Sequence, residues 1–179
     1  REVIAVGAAD ASGAMAGFST PGANVLVSSA GVDMITTDRH QPGWGVNPSG
    51  NYVTNFTGTS AAAPMVSGIT ALMLEANPNL GYRDVQEMLV YASTHPEVQD
   101  WKTNGASNFN LGGLQFNDKA GFGLVDAYSA VRLAETWTKV STAVNEVSAS
   151  ARKFGLTDAI PDGTGAAYTR SFTIDSAMT

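Results

Sequence analysis

The chain contains no cysteine, which excludes a disulfide framework and thiolate metal sites while leaving the redox compartment open. Basic residues are scarce: ten Lys and Arg stand against sixteen Asp and Glu, a formal net charge of -6. A surface of that sign opposes nonspecific attraction to phosphate backbones and anionic lipid, so no nucleic-acid partner is expected. Long hydrophobic runs are also missing. The longest apolar-rich stretch, Met65 to Ala76, falls well short of the roughly 20 residues of a membrane helix, so no membrane span is expected. Nor does the chain open on the basic, apolar and small-residue progression of a signal peptide. It opens on the strand-like run Val3-Ile4-Ala5-Val6-Gly7-Ala8, as if in mid-domain. What is present is a 44% hydrophobic content over 179 residues, enough for one domain with a sizeable core, or one domain and a short piece of another.

Val3 to Ala8 and, after the turn Pro21-Gly22-Ala23, Asn24 to Val27 read as short buried strands. Thr36 to Gly50 is rich in Gly, Pro, Asn and Asp without an apolar period, which predicts an irregular surface excursion. From Pro64 the residues Val66, Ile69, Ala71, Leu72, Met73 and Leu74 make a helix apolar on nearly every side, ended by Asn77-Pro78-Asn79. An amphipathic helix is predicted from Tyr82 to about Ala92, with Val85, Met88 and Leu89 inward and Arg83, Asp84 and Glu87 outward. A third runs from about Val125 to Trp137, with Val131, Leu133 and Ala134 inward, and Asn104 to Asp118 between them reads as a long loop. After Trp137 the texture becomes small and polar, with a turn-rich linker at Ile160 to Gly165. Ser171-Phe172-Thr173-Ile174 then alternates like a new strand.

The segment with chemical content is Asn55-Phe56-Thr57-Gly58-Thr59-Ser60-Ala61-Ala62-Ala63-Pro64, where a small-residue turn sets a serine just before the buried helix. A serine before a helix is by itself an ordinary N-cap. Here, however, Gly58 lets the backbone approach a substrate, Ala61 to Ala63 leave room for an acyl group, and Pro64 fits a first turn that has no use for its missing N–H. Backbone N–H groups and the helix dipole at Ser60 can stabilise an oxyanion on an attacked carbonyl. Met65, one turn on, is expected to be buried.

Gly58-Thr59-Ser60-Ala61-Ala62-Ala63-Pro64 resembles the active-site serine signature of the subtilisin-like serine proteases, the subtilases. Val3 to Ala8, Phe18-Ser19, Gly22, the helix through Ala76-Asn77-Pro78, and Gly121-Phe122-Gly123-Leu124-Val125-Asp126-Ala127 resemble further family segments in family order. Thr36-Thr37-Asp38 and Leu74 to Gln86 resemble the kexin-like, proprotein-convertase-like branch. Arg170 to Asp175 resembles the first strand of the β-sandwich P-domain of that branch. The resemblance implies an α/β fold, part of a parallel-sheet three-layer domain, followed by a linker and the first strand of a β-sandwich. Its segments are 1–137 for the C-terminal half of the catalytic domain, 138–169 for the linker and 170–179 for the P-domain start. It implies a serine endopeptidase with Ser60 as nucleophile, Gly58, Thr59 and Ser60 as the oxyanion and substrate loop, and protein or peptide substrates. It also implies structural calcium in the intact family member and a secreted or cell-surface location.

In the family the aspartate and histidine lie much further upstream than the 59 residues that precede Ser60 allow. The oxyanion asparagine also lies upstream. The chain alone is therefore expected to be inactive and to lack the N-terminal half as a partner, with an open apolar patch beside Ser60. The alternative is a noncatalytic binding or structural module, or a nicked or incomplete product. The calcium-binding glutamate that follows the Phe-Ser pair in kexins is Thr20 here. No metal ligand set is identifiable. His40 and His95 match no catalytic base and read as surface residues; Asp33 and Asp38 read as loop and turn carboxylates. Asn24, Asn47, Asn51 and Asn55 match no oxyanion role, and Asp100 to Asp118 reads as a solvated loop rather than a calcium site. Trp44, Trp101 and Trp137 read as packing or rim residues, Trp44 with the alternative of lining a substrate groove.

Overall fold

The computed structural model describes residues 3–39, 45–47, 50–98, 100–105 and 113–138. The chain divides into two units, 1–141 and 142–179, the second wholly outside the described residues. The predicted linker from residue 139 onward and the predicted strand at 170–179 therefore lie outside them too, as do His40 and Trp44.

The small and β-branched runs at the start form strands β1 (Ala5–Ala9) and β2 (Val25–Ala30), which pair in parallel with Val6 opposite Val27 and Ala9 opposite Ala30. Strands β3 (Met34–Thr37) and β4 (Tyr52–Phe56) follow as an antiparallel hairpin. Helix α1 spans Thr59–Ala76 and helix α2 Tyr82–Tyr91. Next come the short strands β5 (Ser93–Thr94), β6 (Lys102–Thr103), β7 (Gln115–Phe116) and β8 (Leu124–Val125), then helix α3 (Ala127–Thr136). The main sheet has the order β1-β2-β8-β5, with β8 parallel to β2 and antiparallel to β5, while β6 and β7 pair apart from it. This is the α/β class expected from the sequence. The hairpin corrects the reading of Thr36 to Gly50 as wholly irregular, because Thr36 and Thr37 belong to β3 and pair with Val53 and Tyr52.

Helix α1 lies on β1 and β2, and α3 packs against both α1 and α2. Their meeting faces form one core of Val27, Val66, Ile69, Met73, Val85, Met88, Leu89, Ala130 and Ala134. The outward assignment of Asp84 and Glu87 is wrong. Both are buried, at 1% and 7% exposure, because α2 is covered on one side by β2 and on another by α3. Burial of Asp84 is offset by hydrogen bonds that its two oxygens accept, from the Gly81 amide at 2.8 Å and the Trp137 indole at 3.2 Å. Glu87 is less well served: its Oε1 has no hydrogen-bond partner. Asn77 closes α1 and sends its side-chain amide to the Ala134 carbonyl at the end of α3, at 3.1 Å.

Helix α1 is buried on one face only. Ala61, Ala62, Val66, Ile69 and Met73 face inward, whereas Met65, Leu72 and Leu74 are 44%, 50% and 39% exposed. Met65 is thus not buried as expected. Ser60, Pro64, Gly68 and Leu72, spaced four apart and so stacked on one side of the helix, are all exposed. An open apolar face of this kind promotes self-association. We predict that the purified chain binds a hydrophobic dye and scatters light, and that Met65→Gln with Leu72→Ser lowers both signals. Met73→Ala, which removes a fully buried side chain, should instead cost about 2–5 kcal/mol in urea unfolding measured in that soluble background. Equal scattering from the two proteins would show that the open face does not drive association.

Candidate functional site

The site is built outward from the main sheet. At the end of β2 the Gly31 amide donates to the Ala9 carbonyl at 2.9 Å, and the Gly31 carbonyl accepts the Gly58 amide at 2.8 Å. This approach requires glycine: a Cβ on Gly31 would lie 2.7 Å from the Ala8 Cβ and 2.9 Å from the Gly58 carbonyl oxygen. Gly58 has φ 155°, a backbone conformation that residues with side chains rarely adopt. Its carbonyl receives the Ala61 amide at 2.9 Å and opens α1.

Ser60 is therefore the second residue of α1, exposed, with Ala61 and Ala62 buried beneath it. Ser60 thus lies at the helix start, where the sequence reading put it, but Pro64 is the sixth residue of the helix rather than a first-turn residue. A proline there cannot supply the N–H that the Ser60 carbonyl would accept four residues on, and the helix continues because that carbonyl belongs to an exposed residue. No side chain caps the helix start and no acidic residue stands in its first turn. The N-terminal amides, with Ser60 among them, are thus positioned to meet a developing negative charge, and the Ser60 hydroxyl projects from the same turn. Gly58 and Thr59 are half-buried.

The other sequence candidates serve elsewhere. His95 stacks on Trp101, with ring centroids 4.2 Å apart, in the stretch between β5 and β6, and no hydrogen bond among the described residues joins it to Ser60. Trp137 bonds to Asp84 and lies near the Tyr91 ring, a packing role. Asp33 meets Thr57. Asp38 accepts the Asn47 amide at 2.7 Å and the Arg39 amide at 2.8 Å, and these bonds hold its carboxyl below the ordinary aspartate range. Asn47 reaches the Tyr52 carbonyl at 3.0 Å, and Asn24, Asn51 and Asn55 are exposed. Among the described residues no group of three or more acidic, imidazole or thiolate side chains could hold a metal. Asp118, from the predicted solvated loop, pairs with Lys102 at 3.0 Å. No chemistry is routed through a metal ion. Also among them, no helix is long and apolar enough to cross a membrane.

Sequence reasoning missed the Gly31–Gly58 clasp and the Thr57–Asp33 contact. The isolated glycine at the end of an apolar strand was the available signal for the first.

Comparison with known families matches the Subtilase family, peptidase S8, over residues 1–123. The chain belongs to the subtilase family. Its curated relatives are proprotein convertases: it is 51% identical over 88 residues to proprotein convertase subtilisin/kexin type 5 of Rattus norvegicus, covering 48% of this chain and 4% of that protein. It is 35% identical over 153 residues to type 7 of Homo sapiens, covering 81% and 18%. Among solved structures, the serine protease of Aeromonas sobria superposes with a TM-score of 0.68 at 25% identity, over 76% of this chain and 30% of that one. Fervidolysin from Fervidobacterium pennivorans, a keratinolytic enzyme related to subtilisin, superposes at 0.55 with 26% identity, over 73% and 19%. This subtilase chain spans less than a fifth of the length of these curated convertases and under a third of these two solved proteases.

Two consequences of the geometry are testable. Gly31→Ala should destabilise the chain by about 1–3 kcal/mol, seen as a lower urea midpoint in the Met65→Gln/Leu72→Ser background, because the added methyl overpacks the clasp; an unchanged midpoint would show that the clasp has slack. The Asp38 bonds favour the carboxylate, so their contribution is fully present above the unfolded value near 3.8 and is lost as pH falls through the lower folded value. Amide exchange at Asn47 should accelerate in that acid range beyond the intrinsic rate, and Asp38→Asn should abolish the extra dependence.

Proposed function

We propose that this chain carries the nucleophile of a serine endopeptidase and acts as part of a longer protein. The observation that carries the reading is the exposed Ser60 at an uncapped helix start, clasped to the end of β2 by Gly58 and Gly31. Ser60 attacks the peptide carbonyl, a histidine oriented by an aspartate from an upstream segment takes its proton, and the Ser60 amide helps bind the oxyanion together with an upstream asparagine. Gly58 and Thr59 shape the loop beside the scissile bond. The open α1 face is where the missing N-terminal half packs, which makes that half a partner for folding as well as for catalysis. Substrates are proteins or peptides, the protein is secreted or held at the cell surface, and calcium is structural, held by residues other than those described. A P-domain-like β-sandwich follows the linker.

A serine without its base reacts at its unactivated pKa. The chain alone should show neither casein hydrolysis nor labelling of Ser60 by a fluorophosphonate. Co-refolding with the upstream segment should restore both, and Ser60→Ala should then lower kcat by on the order of 10⁶-fold. Ser60-dependent hydrolysis by the isolated chain would overturn the division of the site, and a full-length protein inert to the probe would overturn the protease reading.

A further inference from the structure

We propose that Thr57 is a positioning residue for Ser60, its hydroxyl accepting the backbone amide of Asp33; this rests on the protease reading above. The Asp33 amide donates to Thr57 Oγ1 at 2.9 Å, and the Thr57 hydroxyl lies 3.5 Å from Asp33 Oδ1, so the shorter amide bond carries the contact. Asp33 has φ 52°, in the left-handed region, where aspartate is one of the few side chains tolerated.

The contact falls at a decisive place in the topology. The last hairpin pair is Met34 with Phe56, so Asp33 and Thr57 close the open end of the β3–β4 hairpin. Immediately beyond, the Gly58 amide bonds to the Gly31 carbonyl. The two residues before Thr59 are therefore clamped at two points by residues 31 and 33, one bond through a side chain and one through backbone. With both in place the turn has a fixed orientation. With the Thr57 bond gone, the turn can pivot on the single Gly58 bond. A displacement on the order of 1 Å at a nucleophile is enough to cost about 10²-fold in rate. Asp33 and Thr57 are both exposed, so their contact contributes orientation to the turn rather than burial to the core.

The test uses the full-length protein with a peptide substrate and a fluorophosphonate. Thr57→Val, which keeps the shape and removes the acceptor, should lower kcat and the labelling rate about 10- to 100-fold with KM little changed. Thr57→Ser, which keeps the hydroxyl, should recover most of that loss. Asp33→Ala, which leaves the donating backbone amide in place, should cost far less than Thr57→Val. Tm should move by no more than a few degrees in each variant. Wild-type kcat in Thr57→Val, equal loss in Thr57→Ser and Thr57→Val, or a loss that follows Tm across the set would overturn the assignment. Wild type that fails to label at Ser60 would overturn the protease reading and this inference with it, and the wild-type and Ser60→Ala controls separate that result from the others.

Discussion

The arrangement of this chain depends on one close approach, that of Gly31 to Gly58 at the end of the parallel pair β1 and β2. Ala9, Gly31 and Gly58 are linked in series by backbone hydrogen bonds of 2.9 and 2.8 Å. The start of α1 is thereby fixed to the sheet by main-chain atoms alone. A backbone clasp tolerates change in the surrounding side chains while forbidding it at the two glycines. It also settles which way the first helical turn faces: with Ala61 and Ala62 seated inward, Ser60 has nowhere to point but out.

From that start the helix runs with unequal faces. Val66, Ile69 and Met73 are packed beneath it, while Pro64, Gly68 and Leu72 continue the line of Ser60 in the open. Covering a side chain such as Leu72 or Met65 stabilises by about 1.5–3 kcal/mol when complete, comparable to a sizeable part of a domain's net stability. In the proposed protease, a segment that brought a histidine to Ser60 would lie against this same face. Assembly of the site and burial of the helix would then be a single event, which couples catalytic competence to folding without any separate regulatory element.

The sequence made the helices and the first strands legible because their signals are local: apolar periodicity, Asn77-Pro78 as a stop, Pro21-Gly22 as a turn. Ser60 itself stood out through its small-residue frame. The losses came where distant residues decide. Met34 to Thr37 and Tyr52 to Phe56 pair across an excursion whose Gly, Pro, Asn and Asp content masked the strands. Asp84 looked like a surface residue until Trp137, from beyond α3, supplied the donor that lets it be buried. Pro64 read as a first-turn residue, whereas it is the sixth residue of a helix that starts at Thr59. The Thr57–Asp33 contact joins residues 24 apart in sequence with no periodic signal at either end. Each of these is a tertiary choice overriding a local one.

The same accounting shows what several of the described acids do. Asp38 is engaged with the amides of Asn47 and Arg39, Asp10 with Ser12 and Ala14, and Asp126 with the start of α3. Each of these acids meets local backbone or hydroxyl donors, which is what fixes turns and helix ends. His95 is stacked on Trp101 beyond α2. A helix start can stabilise an anion once it forms, but it cannot remove the proton from an alcohol whose own pKa lies far above neutrality. In the proposed protease the described residues would supply the attacking oxygen and one oxyanion donor in this frame, and proton transfer would fall to residues outside it. In that division the frame must be exact in placement while remaining inert by itself, and a clasp of backbone bonds around two glycines meets both conditions because it orients Ser60 without offering it a proton acceptor.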